Sequence, residues 1–274
     1  MTDMAVVMAR GLGTRMQREQ DGLELDAAAA RVAEKGLKAL IPLNGRPFLD
    51  YLADGLLRAG FRRICLVVAP DADEMRREAR RISAASGAQV DCAVQEKPRG
   101  TADAVRAAEG FVGGEEFLLT NGDNLFAVED LRRMADLPDG RCAVGAFDRD
   151  ELARRGNIAP ERVKSFAVLS LGEDDGLRAI VEKPENPERF ARDGRLLVNM
   201  NLYRFTPHIF EYCRAVQPDP QRGELELTAA VTDLIADGEV PFDVAPCRGA
   251  VLDLTGRADI PRVERALEGR ELSF

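Results

Sequence analysis

The sequence predicts an α/β fold in which a mostly parallel, mixed sheet is flanked by helices. Two observations carry this. Short apolar, β-branched runs alternate along the chain with amphipathic segments of helical period. The first part reads strand-helix-strand-helix-strand-helix-strand, a rhythm that gives buried parallel strands joined by right-handed crossovers. A third observation concerns position. Ligands of such sheets sit beyond the carboxyl ends of the strands, and here the residues with chemistry follow directly on the apolar runs.

The first run, at 4–9, passes into Arg10-Gly11-Leu12-Gly13-Thr14-Arg15. Gly11 and Gly13 can take positive φ and leave no Cβ between main chain and oxyanion. Arg15 adds a planar cation able to fork onto two phosphate oxygens. The loop reads as a phosphate cradle or as an ordinary strand-to-helix turn. Residues 17–35 then break the rhythm with a polar, alanine-rich insert of helical character. Lys38 follows, leading into an apolar run closed by the turn Asn44-Gly45-Arg46-Pro47. It reads as a solvated surface lysine or, facing the glycine loop across the insert, as a phosphate ligand.

A helix at 48–59, a strand at 64–69, a helix at 73–85 and a strand at 90–95 come next. Gln95 then opens the loop Gln95-Glu96-Lys97-Pro98-Arg99-Gly100-Thr101-Ala102. Pro98 stiffens it, Gly100 permits close approach, and Thr101 starts a helix over 101–111 whose N-terminus carries unpaired donors. Thr101 alone reads as a plain helix cap. The Gln95 amide can donate to one base-edge atom and accept from another, which reading a pyrimidine requires.

A strand at 117–120 runs into Asn121-Gly122-Asp123-Asn124, and late in the chain another apolar run ends on Asp253. Carboxylates at two strand tips are hard-oxygen donors suited to Mg²⁺, although either alone reads as a loop cap. A helix at 128–136, a strand at 142–147, a charged irregular stretch at 148–163, and strands at 177–182 and 197–205 follow. Helices at 207–216, 225–236 and 260–267 complete the pattern. No repeat, low-complexity segment or linker divides the chain, so one domain with an appended C-terminal portion is expected.

Composition narrows the function. The chain has 274 residues and a net charge of −9, so its long-range field opposes nucleic acid polymers. It has no Trp and three Tyr, too few for a base-stacking platform. No apolar run approaches the ~20 residues of a membrane span, and no secretory signal or membrane association is expected. Five scattered cysteines and one histidine exclude a disulfide framework and argue against a Cys/His zinc site, so a reducing cytoplasm fits. A polyanionic ligand would then need locally gathered cations or a metal.

Across nearly its whole length the chain resembles the sugar-1-phosphate nucleotidyltransferases, or NDP-sugar pyrophosphorylases. The signature loop supplies Ala9, Gly11, Gly13, Thr14 and Arg15, followed by Lys38. The segment with Gln95, Pro98, Gly100, Thr101 and Ala102 is similar to the family's base-reading loop. Asn121-Gly122-Asp123 is similar to its metal motif, in the form of the thymidylyltransferases, and Asp253 to the second metal ligand. Val181-Glu182-Lys183-Pro184 resembles the element whose Glu holds a sugar hydroxyl and whose Lys holds the sugar phosphate. Asn199 falls at a sugar-binding Asn, and Gly223-Glu224-Leu225-Glu226-Leu227-Thr228 resembles a helix start near the sugar.

The resemblance implies a Rossmann-like fold of the nucleotide-diphospho-sugar transferase type. The single domain 1–274 would consist of a nucleotide-binding half, 1–147, and a sugar-binding half, 148–274. It implies Mg²⁺-dependent condensation of a nucleoside triphosphate, UTP or dTTP favoured by Gln95, with a sugar 1-phosphate such as glucose 1-phosphate. Arg15, Lys38 and Lys183 are then the expected catalytic residues; Ala9, Gly11, Gly13, Thr14, Gln95, Pro98, Gly100, Thr101 and Asn121 bind nucleotide. Glu182, Lys183, Asn199 and Asn201 bind sugar phosphate, and Asp123 and Asp253 bind the metal. A homo-oligomer is compatible with all of this.

Five departures stand out. Arg15 and Lys38 lie 23 positions apart (38 − 15), more than the family usually shows, and Leu37 rather than Pro precedes Lys38. Arg10 stands at a usual Ala, while Asn201 and Ala167 stand at usual glycines. These keep two alternatives in view: a non-catalytic nucleotide-sugar-binding regulatory homologue, and a guanylyl- or cytidylyltransferase acting on a different sugar phosphate. A hydrolase triad is disfavoured because no Ser/His or Cys/His pair accompanies the cations. A dehydrogenase is disfavoured because the glycine loop lacks Gly-x-Gly-x-x-Gly spacing.

Overall fold

The computed structural model describes residues 1–11, 13–18, 27–164, 166–220 and 222–274. Leu12 of the glycine loop and positions 19–26 of the insert lie outside the described residues. In chain order the first half contains β1 (Met4–Met8), α1 (Thr14–Gln17), α2 (Ala27–Glu34), β2 (Pro42–Leu43), β3 (Arg46–Pro47), α3 (Phe48–Ala59), β4 (Arg63–Val68), α4 (Asp73–Ser86) and β5 (Gln89–Val94). Then come α5 (Thr101–Ala107), α6 (Glu109–Val112), β6 (Phe117–Asn121), β7 (Asn124–Leu125), α7 (Val128–Ala135) and β8 (Cys142–Asp148). The remainder contains α8 (Arg149–Arg155), α9 (Pro160–Val163), β9 (Val168–Leu171), β10 (Leu177–Val181), β11 (Leu197–Phe205), α10 (Ile209–Ala215), α11 (Leu227–Asp237), β12 (Phe242–Cys247), β13 (Leu252–Asp253) and α12 (Ile260–Ala266).

The centre of the sheet is the parallel set β5-β4-β1-β6, with Val7 opposite both Leu66 and Thr120. Strand β1 reads Met-Ala-Val-Val-Met because it is paired on both edges and covered on both faces. Its side chains alternate between two cores. Ala5 and Val7 join the cluster beneath α3 and α4, whereas Met4 and Val6 join the cluster beneath α5, α10 and α11. Beyond β6 the sheet becomes mixed: β11 runs antiparallel to β6, β8 and β9, and β12 returns parallel to β8.

Helix α4 follows from its pattern. Met75, Ala79 and Ile82 form a buried stripe at helical spacing, Asp73 and Glu74 face the positive N-terminal dipole, and Gly87 closes the end in a left-handed conformation.

Several expectations need correction. The helix expected over 101–111 divides at Ala108 into α5 and α6. Strands β9 and β12 were not anticipated; β12 is paired on one edge, and its half-buried Asp243 and exposed Pro246 dilute the apolar signal. The irregular stretch 148–163 contains two short helices, the first capped by Asp148 accepting from the backbone N–H groups of Asp150 and Glu151. Among the described residues no helix is long and apolar enough to cross a membrane.

Candidate active site

A cleft of about 480 Å³ opens at the carboxyl ends of β1, β5 and β6. Ala9, Gly11, Gly13, Thr14, Arg15, Lys38, Gln95, Pro98, Gly100, Thr101, Asn121 and Asp123 all line it. Glu182, Lys183, Asn199, Asn201 and Asp253 do not.

The insert explains how Lys38 reaches the glycine loop. Gly13 sits at φ 60°, and a Cβ built there would lie 2.3 Å from the carbonyl oxygen of Gly36. A side chain at position 13 would therefore push these segments apart. Helix α2 buries Ala29 and Ala33, and Lys35 Nζ lies 2.6 Å from Glu74 at the start of α4. Within the insert, α2 docks on the core and Gly36 comes back against Gly13, where the glycine loop ends. Lys38 follows at once, with Nζ 2.8 Å from Asp123 Oδ2. The wide spacing does not remove the lysine from the site. Arg15 is exposed on the same wall and has no carboxylate partner among the described residues.

The loop after β5 is fixed on three sides. Gln95 N donates to Val68 O at 3.0 Å, and Arg10 Nε donates to Gln95 O at 2.6 Å. Gly100, at φ 126°, packs so tightly that a Cβ would lie 2.5 Å from the backbone nitrogen and oxygen of Leu225. Leu225 N donates to Arg99 O at 2.7 Å, and Ala102 N donates to Leu225 O at 2.9 Å. The Thr101 hydroxyl accepts from Leu227 N at 2.8 Å, so it caps α11 rather than its own helix. The loop expected to read a base is thereby joined to the helix start expected near the sugar.

Asp123 and Asp253 occupy neighbouring strand tips. Asp253 pairs with Asn124 between β13 and β7, and Leu254 N donates to Asp123 O at 2.9 Å. Each carboxylate has a cationic partner: Lys38 for Asp123, and Arg162 of α9 for Asp253. Arg162 also forks onto both Asp259 oxygens at 3.0 Å, and Asn124 Nδ2 donates to Asp253 Oδ2 at 3.2 Å. Among the described residues no group of three or more His, Cys, Asp or Glu forms a metal cage. The adjacent carboxylates of Asp123 and Asp253 are nevertheless hard-oxygen donors of the kind that suits Mg²⁺, an ion commonly held by one or two protein carboxylates.

Of the sugar-side candidates, Glu182 and Lys183 follow β10, while Asn199 and Asn201 lie within β11, where the Asn199 amide donates to Asn201 Oδ1 at 3.3 Å. Thr228 of α11 donates to Glu182 Oε1 at 3.3 Å, and Asn199 Nδ2 donates to the Tyr203 hydroxyl at 2.6 Å. Burial pushes the Tyr203 phenol up, helped by the Glu182 charge and opposed by Asn199, so it stays a neutral donor or acceptor. Burial also raises Glu226 against the pull of Arg222, with Glu182 and Glu224 adding like charge. Asn201 sits at φ 54° in a bulge, where four residue steps of β11 span two of β8. A left-handed position is one that Gly and Asn both accept, so this departure preserves the backbone shape. Lys183 also has positive φ, at 38°.

Reading the sequence missed Arg10 as a tether of the Gln95 loop, Asp103 as a partner of Gln95, and Arg162 as the partner of Asp253. Of these, only the position of Arg10 at a usual Ala offered a signal.

Residues 32–246 match the nucleotidyl transferase family. A UTP–glucose-1-phosphate uridylyltransferase, AglF, of Haloferax volcanii is 28% identical over 96% of each chain. A glucose-1-phosphate thymidylyltransferase of Streptomyces antibioticus is 29% identical over 85% of this chain and 58% of its own length. The chain spans about half the length of several other curated relatives it matches. A crystal structure of a UDP-glucose pyrophosphorylase complexed with UDP-glucose superimposes with a TM-score of 0.74, covering 99% of this chain and 100% of that one at 18% identity, a likeness of fold.

Proposed function

We propose, from the premise that this chain belongs to the nucleotidyl transferase family, that it joins UTP or dTTP to a sugar 1-phosphate of the glucose type. A sugar-phosphate oxygen attacks the α-phosphorus of the triphosphate. The new P–O bond forms as the bond to pyrophosphate breaks, leaving a nucleoside diphosphate sugar. The observation that carries this reading is the convergence of Lys38, Arg15 and Asp123 on one glycine loop at the head of the parallel sheet.

Such a transfer asks little covalent work of the protein; alignment and charge neutralisation dominate. Arg15 and Lys38 meet the charge that gathers on the α-phosphate and the departing pyrophosphate. Backbone at Ala9, Gly11, Gly13 and Thr14 lies against the phosphates, while Gln95, Pro98, Gly100, Thr101 and Asn121 hold the nucleoside. Lys183 positions the attacking phosphate, with Glu182, Asn199 and Asn201 on the sugar. Asp123 and Asp253 are the residues to hold Mg²⁺, which when bound screens the repulsion between the two anions. The names of AglF and the Streptomyces relative support glucose 1-phosphate as acceptor. Free cysteines support a cytoplasmic setting.

A matrix of UTP, dTTP, CTP, GTP and ATP against several hexose 1-phosphates, with Mg²⁺ and product masses read directly, tests the assignment. Masses of UDP-glucose or dTDP-glucose, or of the same nucleotides on a related hexose, are expected. Products from GTP or ATP alone, or none from any pair, would overturn it.

A further inference from the structure

Gln95 is 5% exposed and has its backbone held at both ends, by Val68 O and by Arg10. Its side-chain nitrogen lies 3.1 Å from Gly100 O and 3.0 Å from Asp103 Oδ2. A backbone carbonyl and an ionised carboxylate are acceptors only. The orientation of this amide is therefore dictated by its partners: the NH₂ must face Gly100 and Asp103, and both N–H groups are spent there. What remains for a ligand in the cleft is the carbonyl oxygen.

We propose that Asp103 is a positioning residue that locks the Gln95 amide so that it presents an acceptor, and thereby selects bases with an imide N–H. This rests on the assignment of the cleft to a nucleoside triphosphate. It changes the sequence expectation in one respect, since Gln95 accepts from the base but no longer has a free N–H to donate. Uracil and thymine carry N3–H and match the locked oxygen; cytosine turns a lone pair toward it at the same atom. A free amide would flip and accommodate either. Arg106, 3.8 Å from Asp103 on the next turn of α5, keeps charge beside the carboxylate. Leaving a buried polar group unpaired is how a site rejects a near-isosteric ligand by large factors.

The test compares wild type with Asp103→Asn, Asp103→Ala and Asp103→Glu. Equilibrium binding of UTP, dTTP and CTP is measured by calorimetry, and kcat and KM are measured separately. Wild type is expected to bind UTP and dTTP at least tenfold more tightly than CTP. In Asp103→Asn and Asp103→Ala the UTP-to-CTP ratio should fall about tenfold, mainly through KM, while Asp103→Glu, still an acceptor only, retains the preference. Unfolding or a loosened loop would weaken all three nucleotides alike and leave the ratio unchanged, and that result overturns the proposal. So does a wild type that prefers CTP. Because binding is read without turnover, loss of this selectivity is distinguishable from failure of the transfer assignment itself.

Discussion

The ammonium of Lys38 and the carboxylate of Asp123 meet at 2.8 Å across the mouth of the cleft, although 85 positions separate them. They arrive from different elements, Lys38 from the turn behind α2 and Asp123 from the tip of β6. Side-chain exposures of 19% and 23% place both at the edge of solvent, where an ion pair adds little stability. Both line the same cleft as the glycine loop, so on the proposed function the pair serves charge balance instead.

Lys38→Ala and Asp123→Ala should each lower kcat by on the order of 10²–10³ or more. Their thermal midpoints should stay within a few degrees of wild type. Steady-state pyrophosphate release and a melting curve check both halves. Near-normal turnover in either variant removes that residue from the machinery.

Gly100→Ala tests the seam between the base loop and α11. The added methyl meets the Leu225 backbone at 2.5 Å, and φ 126° is closed to alanine. A loss of about 1–3 kcal/mol in urea unfolding is expected. KM should rise for triphosphate and sugar phosphate together, because Leu225 and Leu227 lie at the start of the helix whose Thr228 reaches Glu182. A rise for only one substrate would separate the two halves.

Much of this was legible in the sequence, and the exceptions are instructive. The parallel centre was visible because β1, β4 and β6 are buried on both faces, which leaves continuous apolar runs. The glycine loop and the Asp123 tip were visible because they follow β1 and β6, whereas the Gln95 loop follows the partly exposed β5 and was visible through Pro98, Gly100 and Thr101. The partners Asp103 and Arg162 were not, since a charged side chain on a short helix is ordinary until its neighbour is known. The wide Arg15–Lys38 spacing kept a non-catalytic alternative in view, yet with Gly13 closing on Gly36 the lysine still reaches the glycine loop. Distance along the chain gave no measure of distance across the loop.

Asn201 provides a backbone test. Asn201→Gly should leave stability nearly unchanged, because glycine accepts φ 54° without strain, while KM for the sugar phosphate rises with the loss of the amide. Asn201→Val should cost about 1–2 kcal/mol, since a β-branched residue resists that conformation. Equal stability of the two variants would show that the bulge relaxes freely.

Asp54 sets a pH dependence. It is fully buried on α3; burial pushes its carboxyl up, but hydrogen bonds from Ser273 and the Arg58 guanidinium hold it below the ordinary carboxylate range. A pKa lower in the folded than in the unfolded chain gives stability that is present above about pH 4 and lost as pH falls further. Asp54→Asn should therefore be less stable at pH 7 and show a shallower loss between pH 4 and 2. Parallel acid-unfolding curves for the two proteins would refute this role.

On the proposed function, a triphosphate in the cleft and a sugar phosphate beside it meet for displacement at the α-phosphorus. The most direct test is pyrophosphate release from UTP or dTTP by the wild-type protein with Mg²⁺, with and without glucose 1-phosphate. Release is expected only when both substrates and the metal are present, one pyrophosphate for each nucleotide sugar formed. Release that is indifferent to the sugar phosphate, or an absence of release with every hexose 1-phosphate supplied, would contradict it.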